Sequence, residues 1–269
     1  MLALNFASTF SPERHYLSLL LKLFKTHKKS MTVSEISDAT GIPQGKSSGK
    51  VSPHIKYLLG MNLIESTEDG WYKLTSFGKT VYSFDKSLSE SITAWACHAF
   101  LCDDENGAII YREAISILAK ANELSREALV DGIERSIDSK IDDGIIAPFI
   151  GFYKNNTAFN EAHIIEVKDK SLTYKSCPMN KSFIPLYGAF VCYYLAKYFF
   201  DKEQVSLPDF VKRTELCSRF NLSESSLKSL MDILAGEGYI KISHLVNPLV
   251  ISSLKATDEC MEDLYKYVV

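Results

Sequence analysis

The sequence predicts a mainly α protein with small β elements, an α+β fold, and three observations predict it. Apolar residues recur at helical spacing over most of the chain, notably in 12–26, 51–59, 91–140 and 207–237. Short alternating runs bounded by turn residues interrupt that pattern at 63–74, 162–175 and 239–253. The chain has 269 residues, 46% of them hydrophobic, enough to bury one large core or two or three small ones.

Pro12 to Thr26 reads as the first helix, with Pro12 in its first turn, Glu13 near its positive end, and Tyr16, Leu19, Leu20, Leu23 and Phe24 along one side. Ser34 can cap a second helix whose apolar side is Val33, Ile36 and Ala39; Gly41 and Pro43 stop it. The polar connection 44–50 leads to a third helix with Val51, Ile55, Leu58 and Leu59 inward, and Lys50, His54 and Lys56 largely away from that stripe. Leu63–Ser66, the turn Thr67-Glu68-Asp69-Gly70, and Trp71–Leu74 read as a hairpin, and Thr75 caps a helix to Phe84. Helix, turn, helix, hairpin is the order of a winged helix-turn-helix, placed at 1–86.

Residues 87–200 form a helical middle with a small sheet. Ile92, Trp95, Ala96 and Ala99 share one stripe; Ala114, Ile117 and Leu118 lie on a second helix; Leu129, Ile133 and Ile137 lie on a third, capped by Ser125. From Ile141 the period changes, and Ile145–Tyr153, Ala162–Val167 and Leu172–Lys175 are expected as strands. Ile184–Phe200 is strongly apolar but holds Pro185, Gly188 and Lys197, and is expected as a buried helix, not a membrane span. Residues 201–269 repeat the opening theme as a winged-helix-like domain. A helix over Leu207–Phe220 is followed by the cap Asn221-Leu222-Ser223, a helix over Ser225–Glu237, a stop at Gly238, and strands at 239–243 and 249–253. Its outward Glu224, Asp232 and Glu237 repel phosphate, so this copy fits a protein partner better than DNA.

Charge separates the two ends more sharply than the net value of -3 indicates. Residues 1–60 carry eight Lys or Arg against three Asp or Glu, whereas 61–160 carry nine against sixteen. A basic N-terminal helix-turn-helix points to DNA, with Lys46, Ser47, Lys50, His54, Lys56 and the wing residue Lys73 as contacts. Lysine without arginine neutralises phosphates but reads no base bidentately, so low sequence specificity is expected. The loop from Gly41 to Lys50 is not a phosphate-binding P-loop: its glycine spacing is one residue short, and a helix precedes it where that motif needs a strand.

Asp143 with Glu166-Val167-Lys168 resembles the Asp, Glu-x-Lys arrangement of restriction-type nucleases. The carboxylates of Asp143 and Glu166 would hold Mg²⁺ or Mn²⁺, and Lys168 would orient water; on a strand, Glu166 and Lys168 share one face. His163 and Glu161 are auxiliary candidates. The same triplet also arises in any alternating hairpin as an ordinary polar face. Cys97, Cys102, Cys177, Cys192, Cys217 and Cys260 lack paired spacing and are expected as reduced core thiols of a cytoplasmic protein. Cys97, His98 and Cys102 sit on a helical apolar pattern, which makes His98 a core histidine before a zinc ligand. No secretory leader is evident in the first residues.

Several short motifs add a resemblance. Phe10-Ser11-Pro12-Glu13-Arg14-His15-Tyr16, Tyr72-Lys73-Leu74-Thr75-Ser76-Phe77-Gly78, Ile92-Thr93-Ala94-Trp95-Ala96-Cys97-His98, Ile184-Pro185-Leu186-Tyr187-Gly188-Ala189-Phe190 and Phe220-Asn221-Leu222-Ser223-Glu224 are spread nearly end to end. Together they resemble a family of bacterial winged-helix proteins encoded beside PAPS-reductase-like genes in DNA phosphorothioation and phage-defence operons. The first motif departs from the Gly-His-Glu pattern of that family. The resemblance implies a DNA-engaging component of a phosphorothioation system, with or without DNA nicking. Its implied partners are double-stranded DNA, a cysteine desulfurase, a PAPS-reductase-like sulfur transferase and an ATPase. A non-enzymatic winged-helix adaptor or transcriptional regulator is the competing reading.

Overall fold

The computed structural model describes residues 2–45, 49–121, 123–243 and 247–268. The chain divides into two compact units, Met1–Lys175 and Ser176–Val269. Both are helical with small antiparallel sheets, an α+β architecture.

The first unit opens with α1 (Arg14–Thr26), α2 (Val33–Thr40) and α3 (Val51–Gly60), followed by the two-stranded hairpin of β1 (Ile64–Ser66) and β2 (Tyr72–Leu74) and by α4 (Ser76–Phe84). The element order is the one expected, but some local causes differ. Pro12 lies before the first helix, whose N-cap is Glu13. Thr32, not Ser34, caps α2: its hydroxyl accepts from the Glu35 backbone while the Glu35 carboxylate accepts from the Thr32 N–H at 2.7 Å, a reciprocal capping box. Gly41 ends α2 in the left-handed region (φ 73°), and Thr75 caps α4 through the Gly78 N–H at 2.9 Å. Gly78 is required as well: a Cβ there would lie 1.8 Å from the Leu63 carbonyl oxygen.

Next come α5 (Ser91–Leu101), α6 (Ile109–Ala121), β3 (Glu123–Ser125), α7 (Arg126–Ile137), α8 (Asp143–Lys154), β4 (Ile165–Lys168) and β5 (Ser171–Tyr174). The strand expected at Ile145–Tyr153 is instead α8. Its apolar residues Ile145, Ile146, Phe149, Phe152 and Tyr153 follow a helical spacing that Pro148 and Gly151 obscure in the sequence, and Asp142 caps it through the Ile145 N–H at 3.1 Å. The small sheet has the order β3-β5-β4, so one of its two outer strands comes from 123–125, where none was expected. Helix α5 is buried on every side from Ile92 to Leu101. Asp85 fixes its start by accepting from the N–H groups of Ser89 and Glu90 and from the Thr93 hydroxyl at 2.6 Å.

The second unit is built around α9 (Ile184–Tyr198), a largely buried helix as expected of 184–200. Among the described residues no helix is long and apolar enough to cross a membrane. After β6 (Val205–Ser206), the single helix expected over Leu207–Phe220 is two, α10 (Leu207–Thr214) and α11 (Leu216–Phe220). Glu215 breaks them with a left-handed backbone (φ 52°), a turn that lets Phe210, Leu216 and Phe220 all reach the interior. Ser223 caps α12 (Glu224–Gly236) through the Ser226 N–H at 3.1 Å, and β7 (Ile240–Ser243), β8 (Val250–Ser253) and α13 (Thr257–Glu262) complete the unit. Its sheet has the order β6-β8-β7.

Candidate functional site

Of the six residues expected at a DNA surface, Lys46 and Ser47 lie outside the described residues. Lys50 is half-buried at the N-cap of α3, its Nζ 2.6 Å from Glu13 Oε1 and 5.3 Å from the centre of the Tyr16 ring. The hydrogen bond to Glu13 raises the ammonium pKa.

His54 points inward, contrary to the expected outward placement, and is fully buried. Its Nε2 accepts the Glu13 N–H at 3.0 Å, and its Nδ1 lies 2.6 Å from the Lys50 carbonyl, which fixes the ring as neutral with the proton on Nδ1. Burial lowers its pKa and reinforces that state. The spacing argument missed this because α3 is enclosed on nearly all sides, with Ser52 and Lys56 its exposed positions. Glu13, Lys50 and His54 therefore join α1 to α3 rather than facing outward.

Lys56 and Lys73 are exposed. Lys73 faces Glu65 across the hairpin at 3.2 Å, a solvated pair of the kind worth under about 1 kcal/mol and readily exchanged for a phosphate.

A stronger cationic surface escaped the sequence reading. Lys22, Lys25, Lys28 and Lys29 are exposed on the end of α1 and the segment that follows, and none makes an ion pair among the described residues. Trp71 pins this segment beside the hairpin by donating its Nε1–H to the His27 carbonyl at 3.1 Å. The signal was present as Lys-x-x-Lys-x-x-Lys-Lys.

The carboxylate set is dispersed among cations. Glu166 on β4 lies 2.5 Å from Lys168 and 3.0 Å from Lys175, so both of its oxygens are engaged. The hydrogen bond from Lys168, followed by that from Lys175, holds its carboxyl down to about 2. Glu166 and Lys168 do share one strand face. Asp143, at the start of α8, is 2.5 Å from Arg126 Nη2 and otherwise open to solvent. Glu161 pairs loosely with Arg14 at 3.4 Å, and His163 sits in a left-handed turn (φ 50°) just before β4. Among the described residues no three His, Cys, Asp or Glu side chains converge as a metal-binding group. The arrangement is thus one of ion pairs, and a divalent ion on Glu166 would have to displace Lys168 or Lys175. As they stand these residues do not form a ready Mg²⁺ site.

His98 is an interior residue: its Nδ1 is 2.8 Å from the Tyr153 hydroxyl and its Nε2 3.0 Å from that of Tyr174. Cys97 and Cys102 beside it are buried free thiols, and burial pushes the Cys97 thiol up.

No family model and no curated protein matches the chain. Solved structures do. A magnesium-ion-bound crystal structure of SspB superposes with a TM-score of 0.74 at 12% identity, covering 97% of this chain and 87% of that one. A second SspB crystal structure gives 0.72 at 11% identity with the same coverage. The fold is shared with SspB. The likeness to SspB extends through both units, since almost the whole chain is covered. At 11–12% identity it carries architecture and no side chain, so the residues above stand on their own geometry.

Proposed function

We propose that this chain is the DNA-engaging component of a bacterial DNA phosphorothioation and phage-defence system, in the position that SspB holds. The observation that carries the proposal is the SspB architecture over 97% of the chain. The N-terminal elements α1 to α4 with the hairpin act as a winged helix. In this one most of the exposed cations sit on the end of α1, the segment after it and the wing, and Lys56 is the one on α3. Lys22, Lys25, Lys28, Lys29, Lys56 and Lys73 face phosphates. Binding of that kind is driven by counterion release and is indifferent to base sequence. Lys50 and His54 support the surface from behind by fixing α3 to α1. The partners are double-stranded DNA and the cysteine desulfurase, PAPS-reductase-like sulfur transferase and ATPase of the same system, and the protein works in the cytoplasm.

Whether the chain also nicks DNA is a second reading, favoured by the magnesium ion in one SspB structure. It assigns Asp143 and Glu166 to the metal and Lys168 to water. The ion pairs of Glu166 and Asp143 favour the other version, in which the chain positions DNA for partner enzymes. Incubation of the purified protein with supercoiled plasmid and Mg²⁺ or Mn²⁺ separates them. A retarded plasmid that stays supercoiled supports the positioning role. Open-circle product abolished by Glu166→Ala and Lys168→Ala supports nicking by this set, and nicking untouched by both removes the set. A plasmid that is neither retarded nor cut removes the DNA-engaging reading.

A further inference from the structure

Within the second unit a cavity of about 260 Å³ is bounded by the end of α9, by β6 and β8 and by the start of α13. The buried side chains of Leu195, Phe199, Val205 and Ile251 form its inner wall, and Phe200 stands at its mouth. Phe200 is 85% exposed, more than any other large apolar side chain among the described residues. Around the same opening Ala196 and Ala256 are exposed, and so is Leu254, which lies between the wall residues Ser253 and Lys255. Single apolar side chains on a surface need no explanation, but two large and two small ones gathered at one cavity mark a place where something docks.

The polar rim indicates what docks. Lys202 and Glu203 follow Phe200 at the edge of the cavity, both exposed, and neither makes an ion pair among the described residues. Lys255, by contrast, is already held by Asp263 at 2.6 Å and Glu259 at 3.5 Å. The uncompensated charges lining the rim are thus one of each sign, adjacent in sequence. A basic or an acidic partner would match one and oppose the other. A second copy turned about a two-fold axis matches both, because Lys202 of each chain then faces Glu203 of the other.

We infer that this face is the contact between two copies of the chain, related by a two-fold axis, in which Phe200 of each copy enters the cavity of the other. An apolar knob beside an apolar-walled hole is self-complementary under such an axis, since what one copy offers the other receives. Phe200 is then the buried aromatic anchor of the contact, with Leu254 packed beside it. The Lys202–Glu203 pairs lie around that anchor and fix the register, as polar rims do around interface cores.

Sedimentation velocity of the full-length protein across the micromolar range measures the association directly. The wild-type chain should be dimeric there and Phe200→Asp monomeric, its dissociation constant raised on the order of a thousandfold because each dimer loses two anchors. Phe200 is exposed in the single chain, so the circular dichroism and unfolding midpoint of the variant should match those of the wild type. Charge reversal gives a second, independent reading. Lys202→Glu should weaken the dimer about tenfold, and Lys202→Glu combined with Glu203→Lys should restore it. A dimer that survives Phe200→Asp, or a double variant no tighter than Lys202→Glu alone, would overturn the inference. So would a wild-type chain that stays monomeric throughout, which would leave this face to a different partner.

Discussion

The cationic surface of the first unit makes a quantitative prediction. Replacing Lys22, Lys25, Lys28 and Lys29 with Gln removes four exposed ammonium groups that make no ion pair among the described residues, so no carboxylate is left uncompensated. Each phosphate neutralised contributes about 0.9 to the slope of log K against log salt on duplex DNA. Six engaged lysines give a slope near -5, and the four-lysine variant keeps about -2, from Lys56 and Lys73. Between 50 and 200 mM salt the wild-type affinity should then fall on the order of a thousandfold, and that of the variant only about tenfold. Fluorescence anisotropy of a labelled duplex across that salt range measures both slopes. Lys228→Gln is the control, since this exposed lysine of α12 already pairs with Glu224 at 3.3 Å. An unchanged slope in the four-lysine variant, or an equal loss in the control, would refute the assignment of phosphates to the end of α1.

Three further perturbations test the framework behind that surface. His54→Phe leaves the Glu13 N–H and the Lys50 carbonyl without their partner, at a cost of about 2 to 4 kcal/mol in denaturant unfolding followed by tryptophan fluorescence; both tryptophans, Trp71 and Trp95, lie in the first unit. Because the folded pKa of His54 is lowered, its contribution is complete above the unfolded value of 6.5 and is lost as pH falls below it, by up to about 1.4 kcal/mol per pH unit. The variant should lack that part of the slope, and an identical pH dependence in both proteins would contradict the neutral, doubly bonded ring. Thr32→Ala breaks the capping box of α2 and should cost about 1 kcal/mol, seen as faster amide exchange in 33–36; unaltered exchange would show that the cap contributes nothing. Gly188→Ala places a Cβ 2.5 Å from the Tyr239 ring and should destabilise the second unit by about 1 to 3 kcal/mol, with exchange rising in α9 and β7 and not in α1.

How much of this could be read beforehand depended on how local the cause was. Gly41, Thr75, Ser125 and Ser223 act within a few residues of themselves, and the stops and caps expected of them are where the sequence places them. Ile145–Tyr153 misled because Pro148 and Gly151 interrupt the run, while the helical spacing of its apolar residues takes effect only once Asp142 starts the helix. The shared face of Glu166 and Lys168 was legible from strand alternation. Lys175 was not, because it reaches Glu166 only through the pairing of β4 with β5.

The same distinction governs charge. A count of lysines near the amino end treats Lys50 and Lys29 as equals, yet Glu13 neutralises the first at 2.6 Å while the second makes no ion pair among the described residues. What a phosphate meets is the uncompensated remainder, and tertiary contacts 37 to 44 residues apart in sequence decide where that remainder lies. The Glu13–Lys50 bond takes one cation out of the surface, and the Trp71–His27 bond ties the segment that carries Lys28 and Lys29 to the hairpin. A duplex bound there would therefore be held chiefly by the flank of α1 and the β1–β2 hairpin. The exposed cation on α3 is Lys56, so if α3 is the recognition helix of the proposed winged helix it has few groups with which to read bases, in keeping with the weak sequence preference expected from the scarcity of arginine.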